Sequence, residues 1–177
     1  MAEYLSEHFT LAEMIASDTA KRLGISNNPT SIHKKTLQHT CQYLLEKVRA
    51  LLNEKYKVYK GESVQKVILK ITSGYRGAAL NKAVGGVITS QHCKGEAVDC
   101  EAVVVYQDGK REVIPFVVLY EDIKGWVKEG RMSVDQCIQE QSGAAKWVHI
   151  SHSASGVTKD RKQFLKYDGR TYSVDRT

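Results

Sequence analysis

Apolar positions recur at two periods along the chain, helical up to about residue 52 and strand-like over much of the remainder. The first helix start is Phe9-Thr10-Leu11-Ala12-Glu13-Met14. Thr10 sits where it can cap a helix, and Glu13, three residues on, where it can reach back to complete a capping box. Phe9 and Met14 stand where a hydrophobic staple would put them. Gly24 and then Asn27-Asn28-Pro29 are strong punctuation, so this helix is expected to be short. A second helix follows Ser31. Leu37, Cys41, Leu44, Leu45, Val48, Leu51 and Leu52 form one apolar stripe, with Lys34, Lys35, Gln42, Glu46 and Lys47 on the polar face.

Val67 to Ile71 reads as a buried strand rich in β-branched residues. It runs into Thr72-Ser73-Gly74-Tyr75-Arg76, a short helix from Gly77 to about Val84, and Gly85-Gly86. Glu96 to Tyr106 gives a second strand signal, and Asp108-Gly109 is a turn dipeptide leading to a strand near Lys110. Pro115 suits the first turn of a helix whose Phe116, Leu119, Tyr120, Ile123, Trp126 and Val127 share a face. Val134 to Ile138 and Trp147 to Ser151 read as strands, and a last hairpin is expected at Asp168-Gly169. With no repeat and no low-complexity linker, residues 1–177 are expected to form a single α+β domain. Its sheet should be small and mainly antiparallel, with helices mostly from the N-terminal third.

The 177 residues, 42% hydrophobic and 26% charged, have the balance of a folded globular protein. No apolar run approaches the roughly 20 residues of a membrane span, so no stable membrane association is expected. MAEYLSEHF lacks the basic start and apolar stretch of a secretory signal, which implies synthesis in the cytoplasm without a signal peptide. A net charge of +6 favours an anionic partner. Its longest basic cluster, Lys159, Arg161, Lys162 and Lys166, reads as a solvated face. There is no helix of clustered Arg and Lys and no aromatic-basic platform, so nucleic acid is not an expected partner. Cys41, Cys93, Cys100 and Cys137 show no Cys-x-x-Cys spacing and are expected to be reduced, small hydrophobes.

Two segments carry candidate chemistry, Ser90 to Asp99 and Trp147 to Ser151. A catalytic zinc typically takes three His and carboxylate ligands and leaves one open position, and His92, Asp99 and His149 make such a set. Gly95 permits a tight bend that folds a loop-borne His92 back toward Asp99 on the following strand. Strand alternation puts Ala97, Asp99 and Glu101 on one face, with Val98 and Cys100 on the other. In the second segment it groups Trp147, His149 and Ser151 and turns His152 away, which makes His152 a poor fourth ligand. A structural reading is also open, with His92 in a loop, Asp99 capping or pairing, and His149 a hydrogen-bonded sheet residue.

Ser73-Gly74-Tyr75-Arg76, Ala79-Leu80-Asn81, Val84-Gly85-Gly86 and Ser90-Gln91-His92 through Gly95, Ala97 and Asp99 resemble the zinc D-alanyl-D-alanine carboxypeptidase family. More narrowly they resemble its small phage and bacterial branch, called peptidase M-15A-like. Phe9 to Glu13, Ser17 to Ala20, Arg22 to Ile25, Trp147 to Ser151 and Arg161-Lys162-Gln163 extend the likeness over nearly the whole chain. The resemblance implies a metallopeptidase with one zinc ion at the sheet, held by His92, Asp99 and His149. It implies hydrolysis of peptidoglycan stem peptides as a carboxypeptidase or endopeptidase. Arg76 would bind or polarise the substrate, Ser90 and Gln91 would shape the pocket rim, and Tyr75 would either touch substrate or pack.

One departure stands out. Better-known members carry an acidic residue three positions before the last zinc histidine, where this chain has Lys146. The nearest acidic candidate for general base is Glu140, read alternatively as a solvated carboxylate before Ser142-Gly143, and Asp135 is expected to be structural. The implied protein is a monomer that reaches the wall after release, as an endolysin, or as part of a virion. Lys146 keeps a second expectation open, a non-catalytic, zinc-stabilised wall-binding or virion structural domain.

Overall fold

The Thr10 hydroxyl accepts the Glu13 amide at 3.2 Å, and the Glu13 carboxylate accepts the Thr10 amide at 3.3 Å, completing the capping box. It opens helix α1 (Leu11–Ile15), which stops at once. Ser17 then caps α2 (Asp18–Leu23), and Gly24 ends it in the left-handed region at φ 63°. The one short helix expected before Gly24 is thus two, because Ser17 competes as a second cap. The computed structural model describes residues 2–153 and 160–176, and Lys159 of the basic cluster lies outside them.

From residue 31 to 55 the chain forms one rod of α3 (Ser31–Thr40), a π turn (Cys41–Leu45) and α4 (Glu46–Lys55). In the π turn the Glu46 amide bonds to the Cys41 carbonyl five residues back. The apolar stripe from Leu37 to Leu52 is buried along this whole length. The remaining elements are β1 (Val58–Tyr59), β2 (Glu62–Ser73), α5 (Ala78–Ala83), β3 (Ala97–Tyr106), β4 (Arg111–Val113), α6 (Phe116–Lys128), β5 (Gln136–Ser142), β6 (Ala145–Ser151), β7 (Gln163–Tyr167) and β8 (Tyr172–Val174). The strands form one sheet in the order β1-β2-β3-β6-β5-β7-β8, with β4 also on β3. Among the described residues every pairing is antiparallel except β5 with β7, so the sheet is mixed.

β3 is the trunk. β2 runs along one of its edges, while β6 and β4 share the other, β6 at Ala97 to Cys100 and β4 at Val103 to Val105. Alternation sends Val98, Cys100, Ala102 and Val104, with Val148, Ile150 and Cys137, into the core, where α6 covers β3, β5 and β6 and α4 covers β2. The opposite face carries Asp99, Glu101, Glu140, Trp147 and His149. Cys41, Cys100 and Cys137 are buried as expected, and all four cysteines are free thiols. No helix among the described residues is long and apolar enough to cross a membrane.

The basic cluster is less solvated than its composition suggests. Arg161 grips Asp135 through Nε at 2.9 Å and Nη2 at 2.5 Å, and Lys166 lies 3.3 Å from Asp175. Both carboxylates are buried; Arg161 ties the chain entering β7 to that entering β5, and Lys166 ties the end of β8 back to β7.

At the far end of β2 the backbone closes on α1. The Tyr75 amide bonds to Met14 O at 2.7 Å, and a Cβ on Gly74 would lie 2.3 Å from that same oxygen. Gly74→Ala should therefore destabilise the fold by about 3 kcal/mol, since one backbone must move to admit the methyl group. Urea unfolding of the variant checks this, and an unchanged midpoint would show that α1 yields freely.

Candidate metal centre

Sheet register brings the first two donors together. Asp99 on β3 pairs directly with His149 on β6, so both side chains leave the same face. His92 comes from the 3-10 turn Gln91–Lys94, which ends at Gly95 with φ 78°. A Cβ at Gly95 would lie 2.9 Å from His33 O and from Leu37 Cγ, while the Gly95 carbonyl accepts the buried Thr40 hydroxyl at 2.8 Å. Glycine is thus required there by conformation and by space, and the turn is pressed onto α3. The Arg76 amide bonds to His92 O at 3.2 Å, which ties the end of β2 to the same turn.

The three donor atoms form a nearly regular triangle. His92 Nε2 lies 3.2 Å from His149 Nδ1, His149 Nδ1 lies 3.0 Å from Asp99 Oδ1, and His92 Nε2 lies 3.3 Å from Asp99 Oδ1. A tetrahedral zinc at roughly 2.0–2.1 Å from each ligand would require edges of roughly 3.3 Å, so the donor set fits the ion in chemistry and in size. His92 Nδ1 donates to Gly74 O at 2.7 Å, which fixes the tautomer and leaves the Nε2 lone pair facing the other two donors. Burial alone would raise the Asp99 carboxyl. The charges and hydrogen bonds of His92 and His149 outweigh it and hold Asp99 far below the usual carboxylate range. The group is ionised and ready to bind a cation.

Glu140 stands beside this triangle. It pairs with Trp147 on β6, two residues before His149, so it shares the face of the three donors. Burial, with a smaller push from Asp99, raises its carboxyl to about 7 against the opposing influence of His149, Arg76 and Trp147. The Trp147 indole is close enough to favour the carboxylate without making a well-formed hydrogen bond to it. Arg76 acts on Glu140 through its charge, and its Nε is buried with no hydrogen-bond partner among the described residues. Buried donors without partners at a polar face are the groups a bound molecule or water would satisfy.

The other expected residues are more structural in what they touch. Tyr75 is buried, with its hydroxyl 3.0 Å from His33 Nδ1 and its carbonyl accepting Asn27 Nδ2 at 2.9 Å. Gln91 Nε2 donates to Asp135 Oδ2 at 3.0 Å, linking the His92 turn to the Asp135–Arg161 pair. Arg161's hydrogen bonds hold the Asp135 carboxyl below its ordinary range, which supports the structural role expected of it. The Ser90 carbonyl accepts the Cys93 amide at 3.0 Å at the head of the turn. His152 points away, with Nδ1 2.7 Å from Asp160 and its ring stacked on His39.

Two aromatic residues with no sequence signal of their own join this face. Glu140 pairs with Tyr167 on β7, Tyr167 pairs with Tyr172 on β8, and the two phenol rings stack at 4.4 Å between centroids. Burial and then the nearby Glu140 raise the Tyr172 hydroxyl, which places it in the same electrostatic neighbourhood. The parallel β5–β7 register that aligns them leaves no local sequence signal.

His92→Ala or His149→Ala should weaken metal binding by more than about 100-fold, beyond the loss typical of outer hydrogen-bond partners. Elemental analysis after dialysis against a weak chelator checks this, and a variant retaining a full equivalent would overturn the donor assignment.

Residues 7–113 match the peptidase M15 family, a stretch that includes Arg76, His92 and Asp99 and ends before Glu140 and His149. No curated protein matches the chain. The match covers more than half of the 177 residues, and the chain belongs to the peptidase M15 family of zinc-dependent peptidases.

Proposed function

We propose that the chain hydrolyses the stem peptides of peptidoglycan, as a carboxypeptidase or endopeptidase, with one zinc ion held by His92, Asp99 and His149. The observation that carries this reading is the matched triangle of donors with the Glu140 carboxylate on the adjoining strand, on the same face. Zinc, when bound, supplies Lewis acidity that polarises a carbonyl and makes water easier to deprotonate. Glu140 is the general base. A carboxyl poised near neutrality takes a proton from the attacking water and returns it to the leaving amine, so that one group serves both halves of the reaction. Arg76 presents a permanent charge and a fixed fork of donors to the substrate near the scissile carbonyl. Asp99 stays ionised throughout, and the Gly74 carbonyl keeps His92 in its orientation.

The reading as a non-catalytic wall-binding or virion structural domain drew its support from Lys146. Glu140 weakens that support, because a carboxylate on the neighbouring strand supplies what a protonated amine at 146 cannot. Use as an endolysin or as a virion-associated wall hydrolase is compatible with the +6 charge, since wall polymers are anionic.

Mass spectrometry of peptidoglycan incubated with the zinc-loaded protein, beside a chelated control, tests the reading. Chelator-sensitive loss of terminal D-alanine, or scission within the stem or cross-bridge, is expected. Unchanged muropeptides with zinc bound would overturn it.

Glu140→Gln should retain zinc and lose about 100-fold or more in turnover. Activity should also fall with acidification. A base whose pKa is raised works above that pKa and is lost as pH drops through it. Cation binding by the three donors favours the ionised Glu140, so the midpoint of this acid limb should lie below about 7. Rates measured with metal content checked at each pH give the limb, and its persistence in Glu140→Gln would assign the base elsewhere.

A further inference from the structure

Where β6 and β4 part along the edge of β3, the sheet leaves a groove of about 570 Å3. β6 pairs with β3 only as far as Val148 opposite Cys100, and β4 takes over at Val103. Glu101, Ile114, Phe116, Ala145, Lys146 and Trp147 are among the residues that line the gap. The groove adjoins the metal centre along two strands. Glu101 follows Asp99 by two positions on the same face, a step of roughly 7 Å, and Trp147 precedes His149 by the same step. A peptide held at the three donors and continuing along the sheet in this direction enters the groove.

Its charges are unequal. The Glu101 carboxylate is answered by Lys70 Nζ at 3.2 Å. Lys146 is exposed, its Nζ lies 5.5 Å from the centre of the Phe116 ring, and among the described residues it makes no ion pair. The aromatic ring stabilises the ammonium without neutralising it, so the groove offers an apolar wall and one unanswered positive charge. That combination suits a peptide arm with an aliphatic body and a single free carboxylate. A uniformly polyanionic chain would meet Glu101 and the apolar wall.

We propose that this groove is a substrate subsite for a peptide arm bearing a free carboxylate along its length, apart from its C-terminus, and that Lys146 sets the preference for that charge. The proposal rests on the peptidase reading of the metal centre and adds to it the chemistry of the recognised arm. It also gives position 146 a use of its own, since an acidic residue there would repel the same arm.

The test uses two matched stem pentapeptides. One has the free α-carboxylate of its γ-linked D-glutamate, and the other has the carboxamide at that atom. Hydrolysis is measured with the zinc-loaded wild type, and binding is measured by calorimetry with zinc-loaded Glu140→Gln, which needs no turnover. The carboxylate peptide should be favoured by about threefold in kcat/KM and in affinity, as expected for one ion pair to an exposed lysine. Lys146→Gln, made alone for rates and in the Glu140→Gln background for affinities, should bring both ratios to about one. Lys146→Glu should bring them below one. An equal preference in wild type, or a preference that survives Lys146→Gln, would overturn the assignment while leaving the peptidase reading intact. If neither peptide is cleaved, cleavage of free stem pentapeptides is excluded from the peptidase reading, and the affinities still decide the subsite. A carboxylate preference lost with Lys146→Gln upholds the subsite, and equal or absent binding removes it.

Discussion

Three lone-pair atoms held within 3.3 Å of one another are the constraint on which the rest of the structure depends. Asp99 Oδ1, His92 Nε2 and His149 Nδ1 are drawn from two strands and a turn and are largely buried. Burying such a cluster is costly without a positive charge at its centre. The fold commits unusual local features to keep the atoms there. Gly74 approaches Met14 too closely for any side chain, and its carbonyl orients His92. Gly95 lets the His92 turn press onto α3, and Thr40 holds it from the helix side.

Much of this is legible locally. Two-residue alternation put Asp99 and His149 on coherent faces and turned His152 away, because pleating leaves a strand no alternative once its core side chains are chosen. The Thr10 capping box and the Asp168-Gly169 hairpin likewise depend only on neighbours in sequence. Their outcomes come from hydrogen bonds that close within a few residues.

What the sequence concealed is set by register between distant segments. The parallel pairing of β5 with β7 lines up Glu140, Tyr167 and Tyr172, and nothing in any one strand announces it. The π turn inside the long helix keeps the same apolar stripe inward, so periodicity passes over it. Arg161 reads as a surface cation until Asp135 is found buried beneath it. Glu140 could be nominated from its place in the chain, but its altered protonation comes from burial beside Trp147, His149 and Asp99, which only the assembled sheet supplies.

The relation between Glu140 and Lys146 shows how such a centre can redistribute its charges. Antiparallel pairing sets Glu140 opposite Trp147 and Gln141 opposite Lys146, so Glu140 and Lys146 stand close along β5 and β6 but leave opposite faces of the sheet. With Glu140 in its proposed role, a carboxylate on β5 supplies the base and leaves position 146 without that duty. Strand alternation then directs Lys146 away from the donors and toward Phe116, where its charge faces the groove. Had the carboxylate stood at 146, the groove would hold two acidic residues, with Lys70 already engaged by Glu101. Under the proposed roles, the base on one strand and the cation on the next form a single arrangement, in which moving the proton-handling group changes what the adjoining surface can recognise.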